Sequence, residues 1–150
     1  MPKAPLKAVA ALGGSALDIE SAFYDALQRA DIDALMAVWA DEDDVFCVHP
    51  GGPRLVGSAA IRAAFELMFA NGHIDVHVDR VRRVESLTSS VHSVLERIRV
   101  LTPEGPREAW VMATNVYHKT AQGWRMVAHH ASPGSPHEVA DVSERPAVLH

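Results

Sequence analysis

The sequence predicts an α+β domain in which a cone-shaped, curved antiparallel sheet packs on three N-terminal helices. Apolar residues recur at helical spacing in much of the first 72 residues. From residue 73 the pattern changes to alternating apolar and polar residues, in long segments separated by short turns. Helices segregated in this way from an antiparallel sheet are typical of the α+β class.

Three helices are predicted from their caps and apolar stripes. Ser15 is a candidate N-cap for a helix over residues 16–30. Asp31 caps a second, short helix, whose apolar stripe ends at Trp39. A third helix starts at Ser58 and is ended by the Asn-Gly pair that precedes residue 73.

The strands are predicted from period-2 alternation and turn residues. A short strand at 45–49 leads into a Pro-Gly-Gly-Pro turn, and four long strands follow at 73–85, 90–101, 107–119 and 124–132. Their short connections predict an antiparallel meander. Strong twist and bulges would curl such a sheet into a cone with an open mouth, which leaves room for a small-molecule pocket.

Composition and charge fit one domain with no affinity for nucleic acid. Of the 150 residues, 48% are hydrophobic and 22% charged, as in an ordinary globular domain. The net charge of -5 offers no basic surface to a phosphate backbone. Because Cys47 is the single cysteine and no apolar run approaches the length of a membrane span, we expect a cytoplasmic protein.

The domain itself is expected over residues 15–133. Residues 1–14 are expected to form a flexible lead, and their apolar run is too short and too alanine-rich for the core of a signal peptide. Residues 134–150 are predicted to be an extended or disordered tail, because they show little periodicity.

Four segments in a characteristic order carry a resemblance to a known family. They are the run from Arg29 to Leu35, the helix end from Trp39 to Asp43, the helix start from Gly57 to Arg62, and the closing run from Gly123 to His130. Together they resemble the nuclear transport factor 2-like superfamily, which includes ketosteroid isomerase and the SnoaL-like polyketide cyclases. The resemblance covers about residues 16–132 and implies a cystatin-like roll. It implies no single activity, because this fold hosts enzymes, binding proteins and scaffolds.

The isomerase positions can be carried over one by one. The resemblance places the general base at His49, directly before Pro50, and one oxyanion donor at Asn115. The second donor, a tyrosine in the isomerase, falls on Phe23. Tyr24 is one residue and about 100° further round the helix, so it is expected to face elsewhere.

Each candidate also has a structural interpretation. An imidazole of ordinary pKa near ~6.5 makes His49 a possible base at neutral pH, but a histidine at a strand end also bonds locally. Asn115 could donate to a ligand oxygen, or it could be a satisfied amide within the sheet. In either case a buried amide needs a hydrogen-bond partner.

The remaining predicted pocket residues come from aromatic spacing and strand parity. His129 and His130 are adjacent on a strand and point to opposite faces. Parity places His130 on the same face as Trp124 and Met126. The resemblance implies that this face lines the pocket, so His130 is expected to face the pocket and His129 the outside. The expected ligand-binding residues are therefore Phe23, Trp39, Phe65, Met68 and His130.

Metal and thiol chemistry are disfavoured by spacing. His73 and His77 are four residues apart on a strand, roughly 13 Å, which is too far for one ion. Cys47 and His49 share a strand face at ~6.6 Å, which is too far for a ready hydrogen bond. We therefore expect no metal and no cofactor.

The outer face of the sheet predicts a partner. Trp110 and Met112 alternate with Val111 and Ala113, so both faces of that strand are apolar and the outer one needs a cover. A second subunit is the simplest cover, which favours a homodimer.

Three functions remain open at this point. The first is a binding domain for a small apolar or carboxylate-bearing molecule, and the second is an isomerase, cyclase or hydratase with His49 as base. The third is a dimerisation scaffold.

Overall fold

The computed structural model describes residues 14–134 and 141–142. Its helices are α1 (Ala16–Arg29), α2 (Ile32–Ala37) and α3 (Ser58–Phe69). Both predicted N-caps are confirmed: the side chain of Ser15 accepts from the backbone N–H of Asp18 at 3.1 Å, and that of Asp31 from Ala34 at 3.0 Å. These bonds satisfy amide groups that have no partner within the helix.

Six strands form one sheet. They are β1 (Phe46–Val48), β2 (Arg54–Val56), β3 (Asp75–Glu85), β4 (Ser89–Thr102), β5 (Gly105–Thr120) and β6 (Gly123–Gly134). The spatial order is β2-β1-β6-β5-β4-β3. The four long strands form the predicted antiparallel meander, while β1 pairs with β6 in parallel. The α+β fold, with a curved and unclosed sheet, is confirmed.

The helices cover the inner, concave face of this sheet. Phe23 on α1, Leu35 on α2 and Phe65 on α3 are essentially inaccessible to solvent, and they belong to one apolar cluster with inward residues of the strands. Burying one such side chain contributes on the order of 2 kcal/mol. The core therefore lies between the helices and the inner face.

A bulge in β6 changes which of its residues face inward. Val116 pairs with Ala128, but the next residue, Tyr117, pairs with Met126. Val127 is thus an extra residue without an opposite partner on β5. An extra residue of this kind reverses the alternation of side chains beyond it.

The predicted lead lies outside the described residues, except for Gly14. Most of the predicted tail also lies outside them. Its described residue Asp141 forms an ion pair of 2.7 Å with Arg82 on β3. Within the described part of the chain, no helix has the length and apolar character needed to cross a membrane.

Candidate functional site

A cavity of about 70 Å³ lies between α1, α3 and the inner face of the sheet. Three of its lining side chains are polar or ionisable, namely His49, Glu96 and His129, and the others are apolar. The apolar lining consists of Phe23, Leu27, Pro50, Phe65, Met68, Ile74, Val76, Ile98, Val111 and Ala131. A pocket with a few convergent polar groups on apolar walls is the usual form of a small-molecule site.

His49 lies in this cavity, directly after β1. Its ring forms a T-shaped pair with Phe65, with 4.9 Å between the centroids, and its centroid lies 6.3 Å from that of the His129 ring. Burial lowers the pKa of His49, because an apolar environment disfavours the charged imidazolium. The ring is therefore an uncharged base at neutral pH.

Cys47 and His49 are in contact, contrary to the prediction from their spacing along the strand. Their Sγ and Nε2 atoms lie 3.8 Å apart, because two side chains on one strand face can lean towards each other. Burial raises the pKa of Cys47 to about 12, so the group is a neutral thiol at pH 7. It can donate weakly to His49, but it is no thiolate nucleophile.

The facing predicted for the two adjacent histidines is also wrong. His129 is 4% exposed and lines the cavity, whereas His130 is exposed and lies on the outer face beside Phe46 and Arg54. The parity count from Trp124 fails because the extra residue Val127 shifts the alternation by one. Nothing in the sequence pattern marks this bulge.

Asn115 is fully buried, and it does not line the cavity. Its Nδ2 donates to the Tyr24 hydroxyl oxygen at 2.9 Å, and its Oδ1 lies 2.5 Å from His129 Nδ1. The expectation that this amide has partners is confirmed. Because both ends of the amide are engaged by protein groups, Asn115 positions His129 rather than contacting the cavity.

Tyr24 points into the domain, contrary to the helical-wheel argument. The residue is 7% exposed, and its O–H donates to Glu96 Oε2 at 2.7 Å. The buried arc of α1 contains two neighbouring residues in each turn, Ile19 with Glu20 and Phe23 with Tyr24. An arc of this width accommodates both residues, so 100° of rotation does not take Tyr24 to the surface.

Glu96 is the site residue that the sequence reasoning missed. It is 6% exposed, and burial raises its pKa to about 7, although the Tyr24 hydrogen bond acts in the opposite direction. The sequence contains an indication of its burial, since Glu96 lies on the same face of its strand as Val94 and Ile98. A charged residue among inward-facing apolar residues indicates a buried and paired group.

Tyr24, Glu96, Asn115 and His129 form one hydrogen-bonded chain, which we name the cavity-side cluster. Burial lowers the pKa of His129 to about 3, with smaller contributions from His49 and His130. The ring is therefore uncharged, and the Asn115 carbonyl oxygen requires the proton to be on Nδ1. The Nε2 atom is left as an acceptor.

Comparison with known proteins agrees with this architecture. The family model of the SnoaL-like domain matches residues 17–136. The chain belongs to the SnoaL-like domain family of the nuclear transport factor 2-like superfamily. No curated protein gives a significant sequence match to it.

Several solved structures resemble this SnoaL-like domain. A candidate calcium/calmodulin-dependent protein kinase type II association domain from Thiobacillus denitrificans is 38% identical, with a TM-score of 0.73 over 81% of this chain and 96% of that one. A candidate dehydratase of the NTF2-like family from Streptomyces avermitilis is 30% identical, with a TM-score of 0.70 over 87% and 98%. A ketosteroid isomerase-like protein from Erwinia carotovora atroseptica, 20% identical over 85% and 97% with a TM-score of 0.66, supports the fold alone.

The SnoaL-like domain contains a second buried polar group, which we name the turn-side cluster: Glu20, Ser90, His92 and Tyr117. His92 Nε2 lies 2.9 Å from Ser90 Oγ, and its Nδ1 lies 3.1 Å from Glu20 Oε2. The second pair is close but not aligned as a hydrogen bond. None of these four residues lines the cavity.

The other predicted ligand-binding residues of this SnoaL-like domain do not all lie in the cavity. Phe23, Phe65 and Met68 line the cavity. Trp39 lies instead in a separate groove with Met36 and Arg62. Among the described residues, no group of three or more side chains could hold a metal ion.

Proposed function

We propose that this SnoaL-like domain binds a small, mostly apolar molecule in the cavity bounded by His49, Glu96 and His129. The observation that supports it is the combination of apolar walls with three convergent polar groups in an otherwise packed interior. The free energy of binding would become more favourable by roughly 25 cal/mol for each Å² of apolar ligand surface removed from water.

The size of the cavity restricts the ligand. At about 70 Å³ it is well below the ~300–1,000 Å³ of pockets for drug-sized molecules. Met68 is half-buried and Pro50 exposed at the edge of the cavity. We therefore propose a ligand of a few heavy atoms, or a short apolar group that enters past these two residues.

Nuclear magnetic resonance titration tests this function. Small alcohols, ketones and carboxylic acids of up to about six heavy atoms, the size that the cavity admits, are added to the ¹⁵N-labelled protein. We expect shifts confined to cavity residues, and their loss in Ala131→Leu, which fills the cavity from β6. The control is Ala63→Leu on the exposed face of α3. Binding that Ala131→Leu leaves intact would contradict the proposal, as would the absence of any cavity response.

An acid–base enzyme is the second candidate, and one observation favours it. The cavity combines an uncharged imidazole of lowered pKa at His49 with a carboxyl group of pKa about 7 at Glu96. Such a pair can accept and donate protons at the same pH. On a substrate found by titration, His49→Ala should lower turnover by about 10² or more, whereas His130→Ala on the outer face should not. Unchanged turnover in His49→Ala would remove His49 as the base.

We also propose that the outer face of the sheet forms a homodimer. Val84 and Leu101 point outward and are 74% and 82% exposed, and the outward residues Trp110 and Met112 are half-buried. A structural relative is named as a kinase association domain. Light scattering should give a dimer mass, which Trp110→Glu should reduce to that of a monomer. A monomeric unmodified protein would contradict this assignment.

A further inference from the structure

Building on the proposed ligand-binding function, we propose that the cavity selects molecules that donate a hydrogen bond and rejects carboxylates. The ligand class is a small alcohol or amine with a short apolar chain. Its donor group would be held by Glu96 and His129, which lie at the two ends of the cavity-side cluster.

The direction of each hydrogen bond in the cluster leads to this ligand class. The Tyr24 hydroxyl has one hydrogen, and it donates that hydrogen to Glu96. Its oxygen can then only accept, so the nitrogen end of the Asn115 amide must face it, as the 2.9 Å contact shows. The carbonyl end of Asn115 therefore faces His129, whose Nδ1 must be the donor.

Both ends of the chain are consequently acceptors. The carboxylate of Glu96 uses Oε2 for Tyr24, which leaves its other oxygen available to a ligand. His129 uses Nδ1 for Asn115, which leaves the lone pair of Nε2. Both side chains line the cavity. A ligand that donates can satisfy them, whereas a ligand that only accepts cannot.

The charges around the cavity also disfavour a carboxylate ligand. Among the described residues that line it, none is lysine or arginine, and Glu96 is the single carboxyl group. The burial of His49 and His129 keeps both rings uncharged at neutral pH. A carboxylate ligand would therefore be buried without a cation and beside a second carboxylate, and such a group is strongly disfavoured in an apolar site.

Three probes with the same four-carbon chain test the inference: 1-butanol, 1-butylamine and butyrate, titrated by NMR at pH 8.5. We expect the alcohol and the amine to bind at least about tenfold more tightly than butyrate. Glu96→Gln removes the charge and supplies a donor, so it should reduce the preference for butanol over butyrate to about threefold or less. Glu104→Gln, an exposed residue in the β4–β5 turn, is the matched control and should keep the full preference.

The outcomes separate the inference from the proposed function. Butyrate binding as tightly as butanol in the cavity would overturn the inference and leave ligand binding in place. Binding of none of the probes would overturn both. The ¹⁵N shifts of the histidine rings give a test on the unmodified protein: a protonated Nε2 on His129 at pH 8.5 would overturn the inference, and a protonated Nδ1 supports it.

Discussion

The two buried polar clusters lie on the same inner face of the sheet, yet they are built differently. The cavity-side cluster is a continuous chain of hydrogen bonds from Glu96 through Tyr24 and Asn115 to His129. In the turn-side cluster, Glu20 and His92 are close but unaligned, and Tyr117 Oη has no hydrogen-bond partner among the described residues. The difference does not come from composition, because each cluster contains a histidine, a carboxyl group and a tyrosine.

The difference lies in what each cluster adjoins. The chain of the cavity-side cluster ends at two groups that line the cavity, Glu96 and His129. The turn-side cluster does not reach this cavity: Ser90 lines a separate groove, and the rings of His92 and Tyr117 pack at 4.9 Å. Ordered bonds hold a polar group in one orientation, as a binding site requires. An unpaired buried hydroxyl only costs stability. The proposed ligand therefore fits the first cluster better than the second, to which we attribute a packing role.

The largest expected effect tests the bulge that places His129 in the cavity-side cluster. His129→Ala should lower the free energy of unfolding by about 3–4 kcal/mol, because it leaves a cavity and an unpaired Asn115 carbonyl. His130→Ala on the outer face should change it by no more than about 0.5 kcal/mol. Urea denaturation of both variants measures the contrast. The opposite ranking would show that Val127 is not bulged and that the parity count was right.

The sequence predicts most of the fold because its signals are local. Ser15 and Asp31 cap their helices as expected, and period-2 alternation identifies all four long strands. The parallel pairing of β1 with β6 depends on contacts between distant segments, which alternation within one strand does not report.

The site is less predictable, since one extra residue changes it. His49 lines the cavity, and its position before Pro50 is the one that the resemblance implies for the base. The inward side of His129 depends on a bulge that leaves no local mark in the sequence. The burial of Tyr24 depends on the width of the α1 face that the sheet covers, which the helix sequence alone does not determine. Glu96 could have been found from its apolar neighbours of the same parity.

An intermediate effect should appear in the pH dependence of the cavity-side cluster. The pKa of Glu96 is raised from 4.5 to about 7, so the folded chain holds this proton more tightly than the unfolded chain. The stabilisation is complete below pH 4.5 and is lost as the pH rises through 7, which amounts to about 3 kcal/mol. The free energy of unfolding of Glu96→Gln, relative to that of the unmodified protein, should therefore rise by about 3 kcal/mol between pH 4.5 and 7.5.

Subtracting the curve of stability against pH of the unmodified protein from that of Glu96→Gln isolates the contribution of the Glu96 carboxyl. His129 acts in the opposite sense: its pKa is lowered from 6.5 to about 3, so its contribution is present above pH 6.5 and lost as the pH falls towards 3. That contribution is common to both proteins and cancels in the difference. Glu104→Gln should give a flat difference curve, and a flat curve for Glu96→Gln would mean that its carboxyl is not buried as described.

The smallest expected effect compares one tyrosine from each cluster. Tyr24→Phe removes the hydroxyl that bonds both Glu96 and Asn115, and it should cost about 2 kcal/mol, because two buried groups then lack a partner. Tyr117→Phe removes a hydroxyl that is unpaired among the described residues, so stability should be unchanged or rise by up to about 1 kcal/mol. Both rings are retained, so the difference in chemical denaturation reports the hydroxyl groups alone. Equal losses would indicate that Tyr117 has a partner and that the turn-side cluster is as well bonded as the cavity-side cluster. The unequal losses we expect would locate the ordered hydrogen bonds at the cavity, where they orient the two groups available to a ligand.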